Sequence, residues 1–342
     1  MPILHWLKVM AVWVSAALLN GGQVQAQPVA PDYEAQHTVV KALLAQREDR
    51  LDLAEIKLSI DALIDPSTDK AALAAQLEGM ASEVRALFPA DASNLMRFKV
   101  LRDYLYRPPP DSGRKPFLYN FDDDRNPRAK LMSVYLATQR GNCISMPLLF
   151  AILAQKLSIP ITTATAPSHL YLMFRADNGA WFGVEATNGG GWTNADWQKQ
   201  SFPNLTQRAI ESGLYLQPLT LRETAAVVTE SLLENYEAQG TIAADEARIR
   251  LGALIHEHYP MSVPAMGHSY HAYQALRRRV FEDKYAQPRD IPPDMVPQFL
   301  MLQHGVQHWG WKLRNLGYQA PTVEMEAAYR ERINRARASE RQ

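Results

Sequence analysis

The sequence predicts an α+β protein in which a small antiparallel sheet packs against a buried helix, with more helices before and after this core. Three observations predict it. The run from Met146 to Ala154 is apolar on every face, as in a helix that is buried all round. Residues 161–185 contain three short runs rich in β-branched and aromatic residues. The flanking segments repeat apolar residues at spacings of three and four, which is typical of helices.

Residues 1–26 have the layout of a secretory signal peptide. A start with one lysine precedes an apolar run from Val9 to Leu19 and a Val24-Gln25-Ala26 site. That run is about half of the roughly 20 residues that a spanning helix needs, so cleavage is favoured over a retained anchor. We expect an exported protein, periplasmic or secreted, with no stable membrane span after cleavage.

Residues 30–110 are expected to form a helical N-terminal segment. Apolar stripes predict two helices, and a third covers Leu95 to Tyr106. Ser67 and Asp91 follow helix-breaking prolines and are the expected caps of the second and third helices. A polar connection from Arg107 to Arg128 then leads into the core.

Residues 111–200 are expected to form that core. The connection contains Asp122-Asp123-Asp124, but its carboxylates lack the spacing of a calcium loop, so we interpret it as a solvated loop. A helix from Ala129 to Thr138 follows. The buried helix tolerates Pro147 only in its first turn, so it must begin within a few residues of Cys143.

The hairpin between the second and third strands has a register that the sequence can predict. A two-residue turn at Asn178-Gly179 would place Glu185 on the face away from His169. A three-residue loop, Asp177-Asn178-Gly179, with Gly179 in the left-handed conformation, places Glu185 opposite Tyr171. His169 and Glu185 then share one face as diagonal neighbours. We predict the three-residue loop.

Residues 205–342 are expected to form a helical C-terminal region. Four helices are predicted, at residues 219–239, 243–259, 262–285 and 295–316. Their alanine-rich pattern is tetratricopeptide-like, although the spacing is looser than that repeat demands. The charged tail from Arg330 to Gln342 is expected to fray.

Cys143 is the only cysteine in the chain, so it can form no internal disulfide. It is either a small buried hydrophobic residue or a reactive thiol. At the start of a helix, the positive end of the helix dipole stabilises a thiolate. His169 and Glu185 supply the base and the orienting carboxylate that a thiol nucleophile needs. We therefore predict Cys143, His169 and Glu185 as a candidate catalytic triad.

Four sequence runs carry a resemblance to a known family. They begin at Gly141-Asn142-Cys143, Leu157-Ser158-Ile159-Pro160, Pro167-Ser168-His169 and Val184-Glu185-Ala186-Thr187. Together they resemble the transglutaminase-like superfamily, in particular its SirB-related branch, whose members join a helical N-terminal segment to this core and often carry tetratricopeptide helices behind it. The resemblance implies a papain-like thiol fold. It covers residues 122–190 most specifically, is fainter from 49 to 106, and is weak after 197.

Two residues depart from the family pattern. Many members of the SirB-related branch have proline where Cys143 stands, which implies that they are not thiol enzymes, whereas this chain has the nucleophile of the wider superfamily. Glu185 stands where aspartate is more usual, and its extra methylene group makes its alignment harder to predict. The resemblance implies an oxyanion site made by the Cys143 amide and one more donor, for which Gln139 and Asn142 are candidates.

The composition excludes some partners. The chain has 36 basic and 36 acidic residues, so no long-range field favours nucleic acid or an anionic membrane surface. Three histidine pairs are candidate metal ligands: His256 with His258, His268 with His271, and His304 with His308. None has the sequence context of a known metal site, and we predict no metal and no cofactor.

Two functions remain open from the sequence. The first is an exported thiol enzyme that acts on protein or peptide amides through an acyl-enzyme, with hydrolysis favoured over cross-linking because water is always available. The second is a non-catalytic protein-binding scaffold, in which the C-terminal helices grip a partner protein. The reactivity of Cys143 discriminates between them.

Overall fold

The computed structural model describes residues 31–121 and 127–340. The predicted signal segment and the Asp122-Asp123-Asp124 loop lie outside the described residues. From Tyr33 onward the chain forms one compact unit. Its fold class is α+β, as predicted. Helices precede and follow a small antiparallel sheet along the sequence.

The N-terminal segment contains four helices, at Tyr33–Leu44 (α1), Leu53–Ile64 (α2), Lys70–Ala86 (α3) and Asn94–Tyr106 (α4). The side chains of Asp69 and Ser93 cap α3 and α4 by accepting hydrogen bonds from backbone amides in the first turn. The prediction of Ser67 and Asp91 as caps was therefore wrong by two residues in each case. Asp91 instead adopts a left-handed backbone conformation, with φ of 59°.

The core begins with two short parallel strands, Leu118–Tyr119 (β1) and Arg140–Gly141 (β2). Between them lies Met132–Thr138 (α5), preceded by a 3-10 turn at Pro127–Lys130, so the predicted helix from Ala129 to Thr138 is split into two. The helix Ser145–Lys156 (α6) follows β2. Residues 145–154 of α6 are all buried, as their apolar sequence predicts.

The main sheet is an antiparallel meander of four strands in sequence order. The strands are Ile161–Ala166 (β3), His169–Arg175 (β4), Trp181–Glu185 (β5) and Gly191–Thr193 (β6). Helix α6 packs against β3 and β4, and the apolar residues Leu172, Phe174 and Val184 of the sheet join the same hydrophobic core. Strand β6 was not predicted from the sequence.

The C-terminal region is helical as predicted. Its helices are Ala195–Ser201 (α7), Gln207–Glu211 (α8), Leu221–Gln239 (α9), Ile242–His258 (α10), Val263–Arg277 (α11), Val296–Asn315 (α12) and Val323–Glu340 (α13), with a π-helical turn at Arg278–Glu282. Helices α9 to α12 pack on one another in succession. Arg330 to Glu340 continue α13, where Arg330–Glu326 and Arg335–Glu331 form ion pairs at helical spacing, and fraying of this charged tail stays a prediction.

One hydrophobic core joins the N-terminal helices, α6, the sheet and α9 to α11. Helix α2 packs against α9, and α1 packs against α10, so the N-terminal and C-terminal helical regions are in direct contact. The three regions predicted to meet near residues 110 and 205 therefore belong to one packed unit.

A charged pair lies inside this core. Lys57 and Asp61, one turn apart on α2, form an ion pair although their side chains are only 1% and 0% exposed. Asp61 Oδ2 also accepts a hydrogen bond from the backbone amide of Met132 at 2.7 Å, which fixes the start of α5 to α2. The sequence did not predict this pair.

None of the helices within residues 31–121 and 127–340 is long and apolar enough to cross a membrane.

Candidate active site

Cys143 lies at the N-terminal end of α6, as predicted. Asn142 builds this helix start: its side-chain oxygen accepts hydrogen bonds from the amides of Ile144 and Ser145, each at 3.0 Å. The Ser145 hydroxyl in turn accepts from the Asn142 amide at 3.0 Å. These bonds hold Cys143 in the turn that enters α6, where the amides of the first turn and the helix dipole favour negative charge. Cys143 itself is half-buried.

A tight turn brings His169 to the thiol. Ala166 and His169 are paired across β3 and β4, so Pro167 and Ser168 form a two-residue turn between them. Ser168 adopts φ of 54°, a left-handed conformation that is uncommon for a residue with a side chain. The thiol of Cys143 donates a long hydrogen bond to the Ser168 carbonyl, with 3.9 Å between sulfur and oxygen. The turn therefore carries His169 to the N-terminal end of α6.

The hairpin of β4 and β5 has the predicted register. Arg175 pairs with Trp181 and Leu172 with Val184, which leaves the three-residue loop Asp177-Asn178-Gly179. Gly179 is left-handed, with φ of 84°. Because of this register, His169 and Glu185 share a face, and His169 Nε2 lies 2.8 Å from Glu185 Oε2.

The imidazole of His169 stands between the thiol and the carboxylate. It bonds Glu185 through Nε2, and the Cys143 side chain is near enough to raise the pKa of the ring. Since Nε2 is engaged by Glu185, the other ring nitrogen, Nδ1, is the one that remains for the sulfur. The structure thus brings together all three predicted triad residues in the order thiol, imidazole, carboxylate.

Burial and charge act in opposite directions on His169. Burial disfavours the charged ring, but the Glu185 carboxylate and the Cys143 thiol outweigh it and raise the pKa of His169 to about 10. Burial likewise acts to raise the pKa of Glu185, but the charge and hydrogen bond of His169, with two bonds from Thr187, hold it below its ordinary value. The pair is therefore an imidazolium and a carboxylate near neutral pH.

The substitution Glu185→Gln is expected to lower the pKa of His169 by about 1–3 units, because the ring loses an opposite charge at hydrogen-bond distance. The ordinary pKa of histidine is 6.5, so the raised value stabilises the fold fully below pH 6.5, and this contribution is lost as the pH rises through about 10. NMR titration of the His169 ring, assigned with His169→Ala, measures the shift. An unchanged midpoint in Glu185→Gln would show that the carboxylate does not control the ring.

Two residues next to the triad were not predicted from the sequence. Thr187 donates two hydrogen bonds to Glu185 Oε1, from its amide at 3.1 Å and its hydroxyl at 2.5 Å. Glu185 caps the 3-10 turn that contains Thr187, but glutamate is not among the residues that favour this local bond, so the contact had no clear sequence signal. Phe202, which follows α7, stacks on the His169 ring with centroids 5.1 Å apart. Phe202 is distant from His169 in the sequence, so this stacking had no sequence signal.

The two predicted oxyanion donors have other partners. Gln139 ends α5 in a left-handed conformation, and its side-chain amide donates to the Lys115 carbonyl at 3.3 Å. Asn142 is 2% exposed, and its side-chain oxygen caps α6. An oxyanion role for the side chain of either residue remains a prediction, and the Cys143 backbone amide remains the first candidate.

Two of the other histidines, His256 and His268, lie beside basic side chains. His256 Nε2 lies 2.6 Å from Lys312 Nζ, and His268 Nδ1 lies 3.1 Å from a guanidinium nitrogen of Arg248. Burial, and then these cations, lower the pKa of His256 to about 4 and that of His268 to about 3. In the described part of the chain, no three His, Cys, Asp or Glu side chains are grouped to hold a metal ion.

Comparison with known proteins identifies the fold that carries this site. Residues 71–227 match the family model of the transglutaminase-like superfamily, a span that runs from α3 into α9 and contains Cys143, His169 and Glu185. A crystal structure of menin, described as revealing that protein's binding site for Mixed Lineage Leukemia (MLL) protein, is similar at 15% identity, with 88% of this chain and 74% of that chain covered and a TM-score of 0.40. No curated protein shows significant similarity to the sequence. Residues 71–227 therefore form a domain of the transglutaminase-like superfamily.

Proposed function

We propose that the protein is a thiol-dependent enzyme that acts on protein or peptide amides through an acyl-enzyme on Cys143. The observation that carries the proposal is the arrangement around His169, whose ring bonds the Glu185 carboxylate and has the Cys143 side chain near enough to raise its pKa. This is the geometric signature of an activated nucleophile. A scaffold role would need neither of these two contacts.

The chemistry follows from these positions. The Cys143 sulfur attacks the amide carbonyl carbon as a thiolate beside the His169 imidazolium, and the carbonyl oxygen becomes an oxyanion near the Cys143 amide. The C–N bond then breaks, and the imidazolium donates its proton to the leaving amine. A water molecule, deprotonated by the now neutral His169 ring, attacks the thioester, and the C–S bond breaks to release the acid and restore the thiolate beside the imidazolium. An amine in place of water would give cross-linking, and hydrolysis is favoured because water is always present.

Glu185 supports both halves of the cycle. Its carboxylate fixes the direction of the ring and stabilises the imidazolium form of His169, which stands beside the thiolate before attack and is restored in the hydrolysis step. It is itself buried, with its side chain 3% exposed, so its charge is little screened by solvent. Glutamate can therefore do here what aspartate does more usually in the superfamily.

We further propose the setting in which the enzyme works. The signal-like residues 1–26 support export to the periplasm or beyond. The helical segment before the core and the successive packing of α9 to α12 support the SirB-related branch. The C-terminal helices are then the place for a protein partner or for the recruitment of substrate.

Acyl transfer can be tested without knowledge of the natural substrate. The protein is incubated with casein and a fluorescent primary amine, and mass spectrometry follows peptide-bond cleavage, side-chain deamidation and amine incorporation. We expect cleavage or deamidation in wild type and neither in Cys143→Ala, which should fold normally because the thiol makes only weak contacts. Equal, background-level products in both proteins would favour the alternative function, a protein-binding scaffold.

A further inference from the structure

We propose that Thr187 is a positioning residue for the His169–Glu185 pair, and that its hydroxyl keeps the Glu185 carboxylate both oriented and ionised. This inference deepens the proposed function and rests on it for its catalytic meaning. Its structural part, the control of Glu185 by Thr187, can be measured in a protein that has no enzymatic activity at all.

The two oxygens of Glu185 have separate partners. Oε2 lies 2.8 Å from His169 Nε2, and Oε1 accepts both bonds from Thr187. A carboxylate held by one bond can rotate about its last torsion, whereas one held on both oxygens has a fixed plane. Thr187 supplies two of the three hydrogen bonds that fix this plane. This restraint by Thr187 matters more for a glutamate than for the more usual aspartate, because glutamate has one more rotatable bond.

Thr187 is itself held firmly. It lies in the 3-10 turn Ala186–Asn188, whose first cap is Glu185, and the turn is closed by a hydrogen bond from the Gly190 amide to the Glu185 carbonyl at 3.0 Å. Gly190 has φ of 69°, and a Cβ there would come within 2.5 Å of Arg102 Cγ on α4. Only glycine fits this contact, so the turn is pinned to α4 and Thr187 has a fixed position relative to Glu185.

Among the neighbours of Glu185, Thr187 is the uncharged hydrogen-bond donor that stabilises the ionised carboxylate. The titratable groups that act on Glu185 are His169 from β4 and the hydroxyls of Tyr106 on α4 and Tyr171 on β4. Burial, and then the Glu185 charge, raise the pKa of both tyrosines, so both stay neutral at ordinary pH. The Thr187 bonds help to hold the pKa of Glu185 below its ordinary value.

The test compares Thr187→Val, which removes the hydroxyl at nearly constant volume, with Thr187→Ser, which keeps it. The first readout is the titration of the Glu185 carboxyl by carbon-13 NMR. We expect its midpoint to rise by about one unit in Thr187→Val and to stay at the wild-type value in Thr187→Ser, since a hydrogen bond to a charged group stabilises that charge. The second readout is the alkylation rate of Cys143 at pH 7, expected to fall about 3–10-fold in Thr187→Val only.

Thr229→Val is the matched control. Thr229 is a buried threonine on α9 whose hydroxyl donates to the Ala226 carbonyl, so its substitution removes a buried hydroxyl bond away from the site. It should change neither readout. An unchanged Glu185 midpoint in Thr187→Val would overturn the inference, whatever the rate. Slow alkylation in wild type together with a raised midpoint in Thr187→Val would instead defeat the proposed function and leave the Thr187 inference standing.

Discussion

Replacement of His169 by alanine is expected to slow acyl transfer by about 100-fold or more, the usual contribution of a positioned general base. Alkylation of Cys143 near neutral pH should slow by about 10-fold, because an unassisted thiol is only a few per cent thiolate there. The physical reason is the same in both cases. The ring that bonds the Glu185 carboxylate is the group whose positive charge stabilises the Cys143 thiolate and whose proton goes to the leaving amine.

His271→Ala is the matched control for this prediction. His271 is an exposed histidine on α11 that contacts Tyr270, with no part in the site. Its removal should leave both rates at the wild-type values. If His169→Ala alkylates as fast as His271→Ala, then His169 does not activate the thiol, and the pairing of ring and sulfur has only a structural role.

The substitution Lys57→Met is expected to destabilise the protein by about 3–5 kcal/mol, because it leaves the Asp61 carboxylate buried without its cation. Chemical denaturation followed by circular dichroism measures this loss as a lower midpoint. The double variant Lys57→Met/Asp61→Asn should recover part of it, since asparagine removes the charge and keeps an acceptor for the Met132 amide.

Lys156→Met provides the comparison at the surface. Lys156 pairs with Glu78 at 2.9 Å, but the Glu78 side chain is 58% exposed, so the loss should be about 1 kcal/mol or less. Equal midpoints for Lys57→Met and Lys156→Met would contradict the view that burial makes the Lys57–Asp61 pair critical.

The sequence predicted the parts of the site that depend on local rules. The all-apolar run with Pro147 in its first turn placed the start of α6 near Cys143, and the structure starts α6 at Ser145. The Asp177-Asn178-Gly179 loop fixed the hairpin register, because a one-residue slip would turn every side chain of β5 to the other face. These two local features place Cys143 at the helix start and put His169 and Glu185 on one face, while the Pro167-Ser168 turn and the packing of α6 on β3 and β4 bring the thiol and the ring together.

Other parts depend on contacts between distant segments and could not be predicted. Gly190 packs against α4 and Gly191 begins β6, a strand that at three residues is too short to show a strand pattern in the sequence. Lys57 and Asp61 have the spacing of an ordinary surface pair, and only the tertiary fold buries them. The superfamily match also extends further, over residues 71–227, than the clear sequence resemblance at 122–190.

The most direct test of the account uses the fact that Cys143 is the only thiol in the chain, so the unfolded protein is its own reference. Intact-mass measurement gives the rate constant for alkylation by iodoacetamide at pH 7, for the folded protein and for the same protein in concentrated guanidinium chloride. If His169 and the start of α6 activate Cys143, the folded protein should react about 10-fold faster than the unfolded one, since thiolate is the reactive form. A folded protein that reacts more slowly than the unfolded chain would contradict the account, because its thiol would then be only a protected part of the core.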